Sequence, residues 1–232
     1  MRFESPLVRG TLLRRYKRFL ADVELPGLGV VTAHCANSGT MLGVSAPGSP
    51  VWLMPARNPK AALRWSWQMI EVDGHLVGID TGRPNPIAAE AIAAGLIPDL
   101  AGYATIRREV RYGINSRIDL LLEAPDRPPC YVEVKNVHLR RGARAEFPDC
   151  VTVRGTKHLG ELAAMAEAGA RAVMLYVVQR ADCERFALAA DLDPAYAAAL
   201  ADARRRGVEA HAWACRLDGE GIALERPLPL DL

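Results

Sequence analysis

The feature that most constrains this chain is a change of texture at Thr81-Gly-Arg-Pro-Asn-Pro86. Before it, short β-like stretches follow one another: Leu7 to Val23, Val30 to His34, Val51 to Leu53, Ile70 to Val72 and Leu76 to Ile79. Pro26-Gly27, Ser38-Gly39, Pro47-Gly48 and Asp73-Gly74 separate them, and each pair is a turn signal. Many short strands between turns predict a small barrel. After it, helical and strand patterns alternate. Ile87 to Leu96 reads as a helix, and Ile106 to Tyr112, Arg117 to Glu123 and Cys130 to Val137 as three strands. Thr156 to Ala168 repeats apolar residues at helical spacing and stops at Gly169. The unbroken apolar run Ala172 to Val178 predicts a buried strand, Pro194 opens a helix through Arg206, and Val208 to Cys215 is a last strand. The expected fold is α+β: a β-barrel over residues 1–82, then an α/β domain over 83–232 with the order α-β-β-β-α-β-α-β.

The chain has 232 residues, half of them hydrophobic and 24% charged, enough for a sizeable core and far from a disordered composition. Its longest apolar run is seven residues, against about 20 for a membrane span. Residues 1–20 carry six basic side chains with no apolar block, unlike a secretory signal. Cys35, Cys130, Cys150, Cys183 and Cys215 are odd in number and never form a CxxC pair, which suits reduced thiols and a cytoplasmic protein rather than disulfides or zinc. Residues 1–80 hold nine Lys or Arg and six Asp or Glu, while the rest hold 20 and 21. The local excess lies in Arg9, Arg14, Arg15, Lys17 and Arg18, a cluster that suits either phosphate contacts or a solvated face.

The chemistry concentrates in Ser116-Arg-Ile-Asp-Leu-Leu-Leu-Glu123 and Cys130-Tyr-Val-Glu-Val-Lys-Asn-Val137. Strand alternation puts Ile118, Leu120 and Leu122 on one face and Asp119 on the other. In the second strand it separates Val132 and Val134 from Glu133 and Lys135. A simple hairpin places Asp119 opposite Glu133, and a bulge would shift this by one residue. Two carboxylates about 5 Å apart repel unless one is protonated or a cation lies between them. Hard oxygen donors with room for water fit Mg2+ or Mn2+, which could activate water against a phosphodiester. Lys135 would orient that water or stabilise developing negative charge. A solvated strand face with a stray salt bridge is the bland alternative.

Several blocks together resemble the sugar fermentation stimulation protein family: Arg14-Arg-Tyr-Lys-Arg-Phe19, His34-Cys-Ala-Asn-Ser-Gly-Thr-Met41, Ser116-Arg-Ile-Asp119, Tyr131-Val-Glu-Val-Lys-Asn-Val137, Phe147-Pro-Asp149 and Arg154-Gly-Thr-Lys-His-Leu159. The resemblance implies an OB-like barrel, a C-terminal domain similar to PD-(D/E)XK nucleases, DNA binding and a role in sugar utilisation. It assigns nuclease-type roles to Asp119, Glu133 and Lys135 and adds Glu109 as a further metal-binding acid. Lys157 and His158 would face the same site and touch nucleic acid, with an ordinary, partly exposed helix-start histidine as the alternative for His158. Ala36, Ser38 and Thr40 depart mildly from the family pattern, His138 stands where a small polar residue is expected, and Gly160 where a basic one is. Trp65 and Trp67 share a face that suits base stacking or, more simply, barrel core. Asn37-Ser-Gly39 suits a phosphate nest or a tight turn. Two functions follow: a metal-dependent nuclease, or a DNA-binding regulator without turnover.

Overall fold

A computed structural model describes residues 1–56, 58, 60–113 and 115–232. Strands β1 (Val8–Tyr16), β2 (Leu20–Leu25), β3 (Gly29–Cys35), β4 (Pro50–Pro55), β5 (Trp65–Val72) and β6 (His75–Gly78) form one sheet in the order β3-β2-β1-β4-β5-β6. A parallel pairing of β3 with β5 closes the first five into an OB-type barrel, and β6 is a hairpin arm of β5. Its core holds Leu12, Val23, Leu53, Ile70 and Trp67, whose Nε1 donates to Met69 O at 2.9 Å. Trp67 is therefore core, and Trp65 packs against its edge.

The stretch expected as one strand from Leu7 to Val23 is a hairpin. Its three-residue loop carries Lys17 and Arg18 in the left-handed region, φ 47° and 63°, a turn with no glycine or asparagine to announce it.

Beyond the barrel come α1 (Pro84–Ala93), β7 (Thr105–Tyr112), β8 (Ser116–Ala124), β9 (Arg127–Val137), β10 (Leu139–Arg141), β11 (Arg144–Phe147) and α2 (Val153–Glu167). They are followed by β12 (Arg171–Val178), β13 (Arg185–Leu188), α3 (Pro194–Arg205), β14 (Val208–Leu217), β15 (Ile222–Pro227) and β16 (Leu230–Asp231). A six-stranded mixed sheet, β15-β14-β12-β9-β8-β7, separates two cores. β12 lies at its centre and feeds both: Met174, Tyr176 and Val178 enter the α2–α3 side, while Val173, Leu175 and Val177 enter the α1 side. That is why it reads as one apolar run. The smaller sheet β10-β11-β13-β16, with strands of two to four residues, was not anticipated.

Caps set the helix that serves the site. Thr152 Oγ1 accepts from Gly155 N at 3.1 Å to open α2. The Asp193 carboxylate takes Thr152 N at 2.8 Å and Tyr196 N at 3.0 Å, tying the starts of α2 and α3 together. At the other end of the chain, the first residues run along β15: Met1 N donates to Ile222 O, and Phe3 N to Glu220 O.

The barrel docks on this domain through buried polar contacts. Gly78 N donates to Gln179 O, and Gln179 Nε2 reaches Asp80 O and Asn136 Oδ1. The Asp149 carboxylate accepts from Met41 N at 2.8 Å and lies 3.3 Å from His138 Nε2. His138, the departure from the family pattern, thus gives Asp149 a buried partner at the junction.

Candidate nuclease-type site

The site forms where two strands part. β8 pairs with β9 at Leu122–Cys130, Leu121–Tyr131 and Leu120–Val132, a register that continues to Asp119 opposite Glu133. A bulge between Leu122 and Ala124 separates this register from the turn closed by Ala124–Arg127, and without it Asp119 would face Val132. The backbone ladder stops at Leu120, because β8 stays on β7 through Tyr112–Ser116 while β9 follows β12. Asp119 fills the fork: its Oδ2 takes the Val134 N–H at 2.8 Å in place of a backbone carbonyl. Its Oδ1 accepts from Asn85 Nδ2 at 2.7 Å, and the same amide lies 3.5 Å from Glu109 Oε1.

One expected alternation fails at this point. Ile118 packs in the α2-side core, whereas Leu120 and Leu122 pack in the α1-side core. The face switches around Asp119, opposite Glu109, a non-glycine residue with φ 54°. A left-handed residue in an edge strand turns the following side chains to the other face.

Glu133 is buried on the α2 face of β9, between Tyr131 and Lys135. Its Oε1 accepts from Lys135 Nζ at 2.6 Å and also contacts His158 Nδ1. Arg154 Nε donates to His158 Nε2 at 3.2 Å, so the ring accepts there and its Nδ1–H points at Glu133. Glu133 Oε2 is buried with no hydrogen-bond partner. Burial alone would raise the Glu133 carboxyl, but the His158 hydrogen bond and the Lys135 charge outweigh it and hold it below the ordinary carboxylate range. Asp119 goes the other way. Burial first, then the Glu133 charge, push it up to about 6 against the Val134 and Asn85 hydrogen bonds. The pair is thus split, one acid held ionised and the other poised to take a proton.

Asp119, Glu133 and Lys135 come together, and Glu109 joins at the exposed rim through Asn85. His158 does not present itself to a nucleic acid. It is buried, because α2 places it beside the core residues Leu159 and Leu162 and over Glu133. Lys157 stays exposed, 3.6 Å from Glu161. Two of the barrel cations are engaged within the protein: Arg14 pairs with Asp22 at 2.8 Å, and Arg15 donates to the carbonyls of Arg18, Asn37 and Gly39. Arg9 lies over the Trp52 ring, and Lys17 and Arg18 form the hairpin loop. Asn37 Oδ1 accepts from Gly39 N and its Nδ2 donates to Ile79 O, so Asn37-Ser-Gly39 is a tight turn.

Two residues of the site went unanticipated. Asn85 lies in the segment read only as a domain break. Glu161, with both carboxylate oxygens buried and without hydrogen-bond partners, lies one helical turn beyond His158. Helical spacing from Lys157 and His158 was the available signal for Glu161, whereas Asn85 had none. Among the described residues, no three His, Cys, Asp or Glu side chains converge as a metal cage. None of their helices is long and apolar enough to cross a membrane.

Comparisons agree with this architecture. Residues 13–79 match the SfsA N-terminal OB domain, and residues 82–221 match the sugar fermentation stimulation protein RE domain, a restriction-endonuclease-like unit. A sugar fermentation stimulation protein homolog from Paramagnetospirillum magneticum is 62% identical over all of this chain and 98% of its own. One from Rhodospirillum centenum is 64% identical over 99% of both. The solved structure of Pyrococcus furiosus SfsA in complex with Ca2+ is 31% identical, with a TM-score of 0.89 over 100% of this chain and 98% of that one. The chain belongs to the sugar fermentation stimulation protein family.

Proposed function

We propose that the chain is a DNA-binding, divalent-metal-dependent phosphodiesterase of the nuclease type, with Asp119 and Glu133 as metal ligands and Lys135 as the cation that meets the reacting phosphate. One observation carries this reading: at the fork of β8 and β9 the half-buried Asp119 and the buried Glu133 meet a lysine, and Glu133 Oε2 is left without a partner. A buried carboxylate oxygen without a donor suits a cation. The donor set is hard oxygen, which fits Mg2+ or Mn2+. Mg2+ in particular is commonly held by one or two carboxylates, with water and substrate oxygens completing its shell. Glu109 would add an outer contact through Asn85. The relative solved with Ca2+ supports a divalent ion.

A bound ion would supply Lewis-acid stabilisation of a phosphoryl oxygen and a more acidic water. The chain's own residues do the rest. The Val134 N–H and Asn85 fix the Asp119 carboxylate, and His158 and Lys135 fix Glu133. The Lys135 ammonium has three donors and spends one on Glu133, leaving others for a water or a phosphate oxygen. The second reading is a DNA-binding regulator without turnover. It is favoured by the Lys135 ammonium, which already balances the Glu133 charge, with the His158 ring donating to the same carboxylate.

Incubation with labelled single- and double-stranded DNA and RNA, with Mn2+, Mg2+ or EDTA, separates the two. Metal-dependent chain cleavage is expected, with DNA preferred. Salt-sensitive binding with no cleavage of any polymer would leave the regulator.

A further inference from the structure

The edge hairpin β7–β8 carries arginines whose arrangement needs an explanation. Arg111 and Arg117 are direct cross-strand partners. Both are exposed, neither has an acidic partner among the described residues, and like charges placed opposite one another destabilise a sheet. Their neighbours Val110, Tyr112 and Ile118 all pack on the α2 side, so both arginines project from the α1 side. Arg108, also exposed and without an acidic partner among the described residues, is the cross-strand partner of Leu120, which packs in the α1-side core. Arg108 therefore projects from that same side. In a regular strand, residues 108 and 111 would point to opposite faces. The left-handed turn of the chain at Glu109 brings them to one face.

Along each strand the Arg111–Arg117 pair lies two residues, about 7 Å, from Glu109 and Asp119. Asn85, at the start of α1, joins those two acids on this side of the sheet. A concave surface lined by Arg111, Tyr112, Gly113, Asn115, Ser116 and Arg117 lies at the tip of the hairpin, on the far side of the arginine pair from the site. Charged residues on an edge strand also discourage sheet-to-sheet aggregation. That purpose, however, requires neither a shared face nor a like-charged pair opposite one another.

We propose that this face of the β7–β8 hairpin is the track along which a nucleic-acid backbone approaches the site from its Asp119 and Asn85 side, Glu133 and Lys135 lying across the β8–β9 fork on the α2 face, with Arg108, Arg111 and Arg117 contacting consecutive phosphates. The inference rests on the nucleic-acid reading above and deepens it by naming the contact surface. It moves the main electrostatic footprint from the barrel cluster, whose Arg14 and Arg15 are engaged within the protein, to the catalytic domain. The near-zero net charge beyond residue 80 concealed it.

Fluorescence anisotropy of labelled single-stranded and duplex DNA, in Ca2+ and over a series of KCl concentrations, tests it on the full chain. Arg111→Gln/Arg117→Gln should lower the slope of log affinity against log salt by about 1.4 on single strands and about 1.8 on duplex. Affinity at low salt should fall at least tenfold. Arg111→Lys/Arg117→Lys should keep the wild-type slope, and the melting temperature of the glutamine variant should equal or exceed wild type once the repulsion is gone. Wild-type affinity and slope in the glutamine variant would overturn the track and leave nucleic-acid binding to another surface. No binding by the wild type would overturn the track together with the reading beneath it.

Discussion

Replacing Glu133 with alanine tests whether this carboxylate holds the site together in the absence of metal. The side chain is 3% exposed and Lys135 beside it is 14% exposed, so the pair lies in a low-dielectric setting where an abandoned charge is costly. Removing Glu133 strands the Lys135 ammonium and leaves the His158 Nδ1–H without its acceptor. Breaking a buried pair from one side typically costs about 3–5 kcal/mol. Lys135 can extend some way toward solvent, so the lower end, about 3 kcal/mol, is expected. In a protein of this size that is a fall in melting temperature of about 6–12 °C. Thermal and urea unfolding in EDTA, with Lys135→Met and the double variant completing a cycle, measure it. The double variant should recover part of the loss, with a coupling of about 1.5–3 kcal/mol. A Glu133→Ala cost below 1 kcal/mol with no coupling would refute the idea that Glu133 organises Lys135 and His158.

Asp149→Ala removes the acceptor of Met41 N and the neighbour of His138 at the domain junction. A loss of about 2 kcal/mol and a split of one calorimetric transition into two are expected, and a single unchanged transition would show that the junction is held elsewhere. Glu209 is held down at about 2, against an unfolded value of 4.5, where His211 and the two-pronged Arg171 contact overcome its burial. A depressed carboxylate contributes stability above its unfolded value and loses it as pH falls toward 2. Wild type should therefore exceed Glu209→Gln by about 1 kcal/mol or less at pH 7, the contact being a third exposed, and the gap should close between pH 4.5 and 2. Equal acid unfolding profiles would contradict this. His158→Asn should lower stability in EDTA because α2 places the ring, buried, against Glu133, whereas a surface histidine would give no change.

The acidic pair was legible in part: strand alternation marks both acids, but their opposition depends on the bulge between Leu122 and Ala124, which shifts the register set by the turn by one residue. The face switch between Ile118 and Leu120 was not legible. It depends on a left-handed glutamate in the partner strand, and no residue type announces that conformation. His158 was visible as a helix residue near the site. Its burial came from a tertiary contact with β9 that helical periodicity does not encode. The hairpin loop at Lys17 and Arg18 escaped notice because its left-handed residues are not the usual glycine or asparagine. The β10-β11-β13-β16 sheet escaped for a different reason: its strands are two to four residues long, too short for any period to show, and most of their pairings are long-range. The arginine hairpin was hidden by averaging charge over 152 residues, where 20 cations nearly cancel 21 anions.

The most direct test of the nuclease proposal is single-turnover cleavage of labelled DNA in Mn2+ by the wild type, Glu133→Gln and Lys135→Ala, with binding of the same DNA measured alongside. Cleavage by the wild type, abolished by EDTA and reduced at least a hundredfold in both variants while binding persists, is the expected result. Binding without cleavage by the wild type, or cleavage that survives both substitutions, would contradict it.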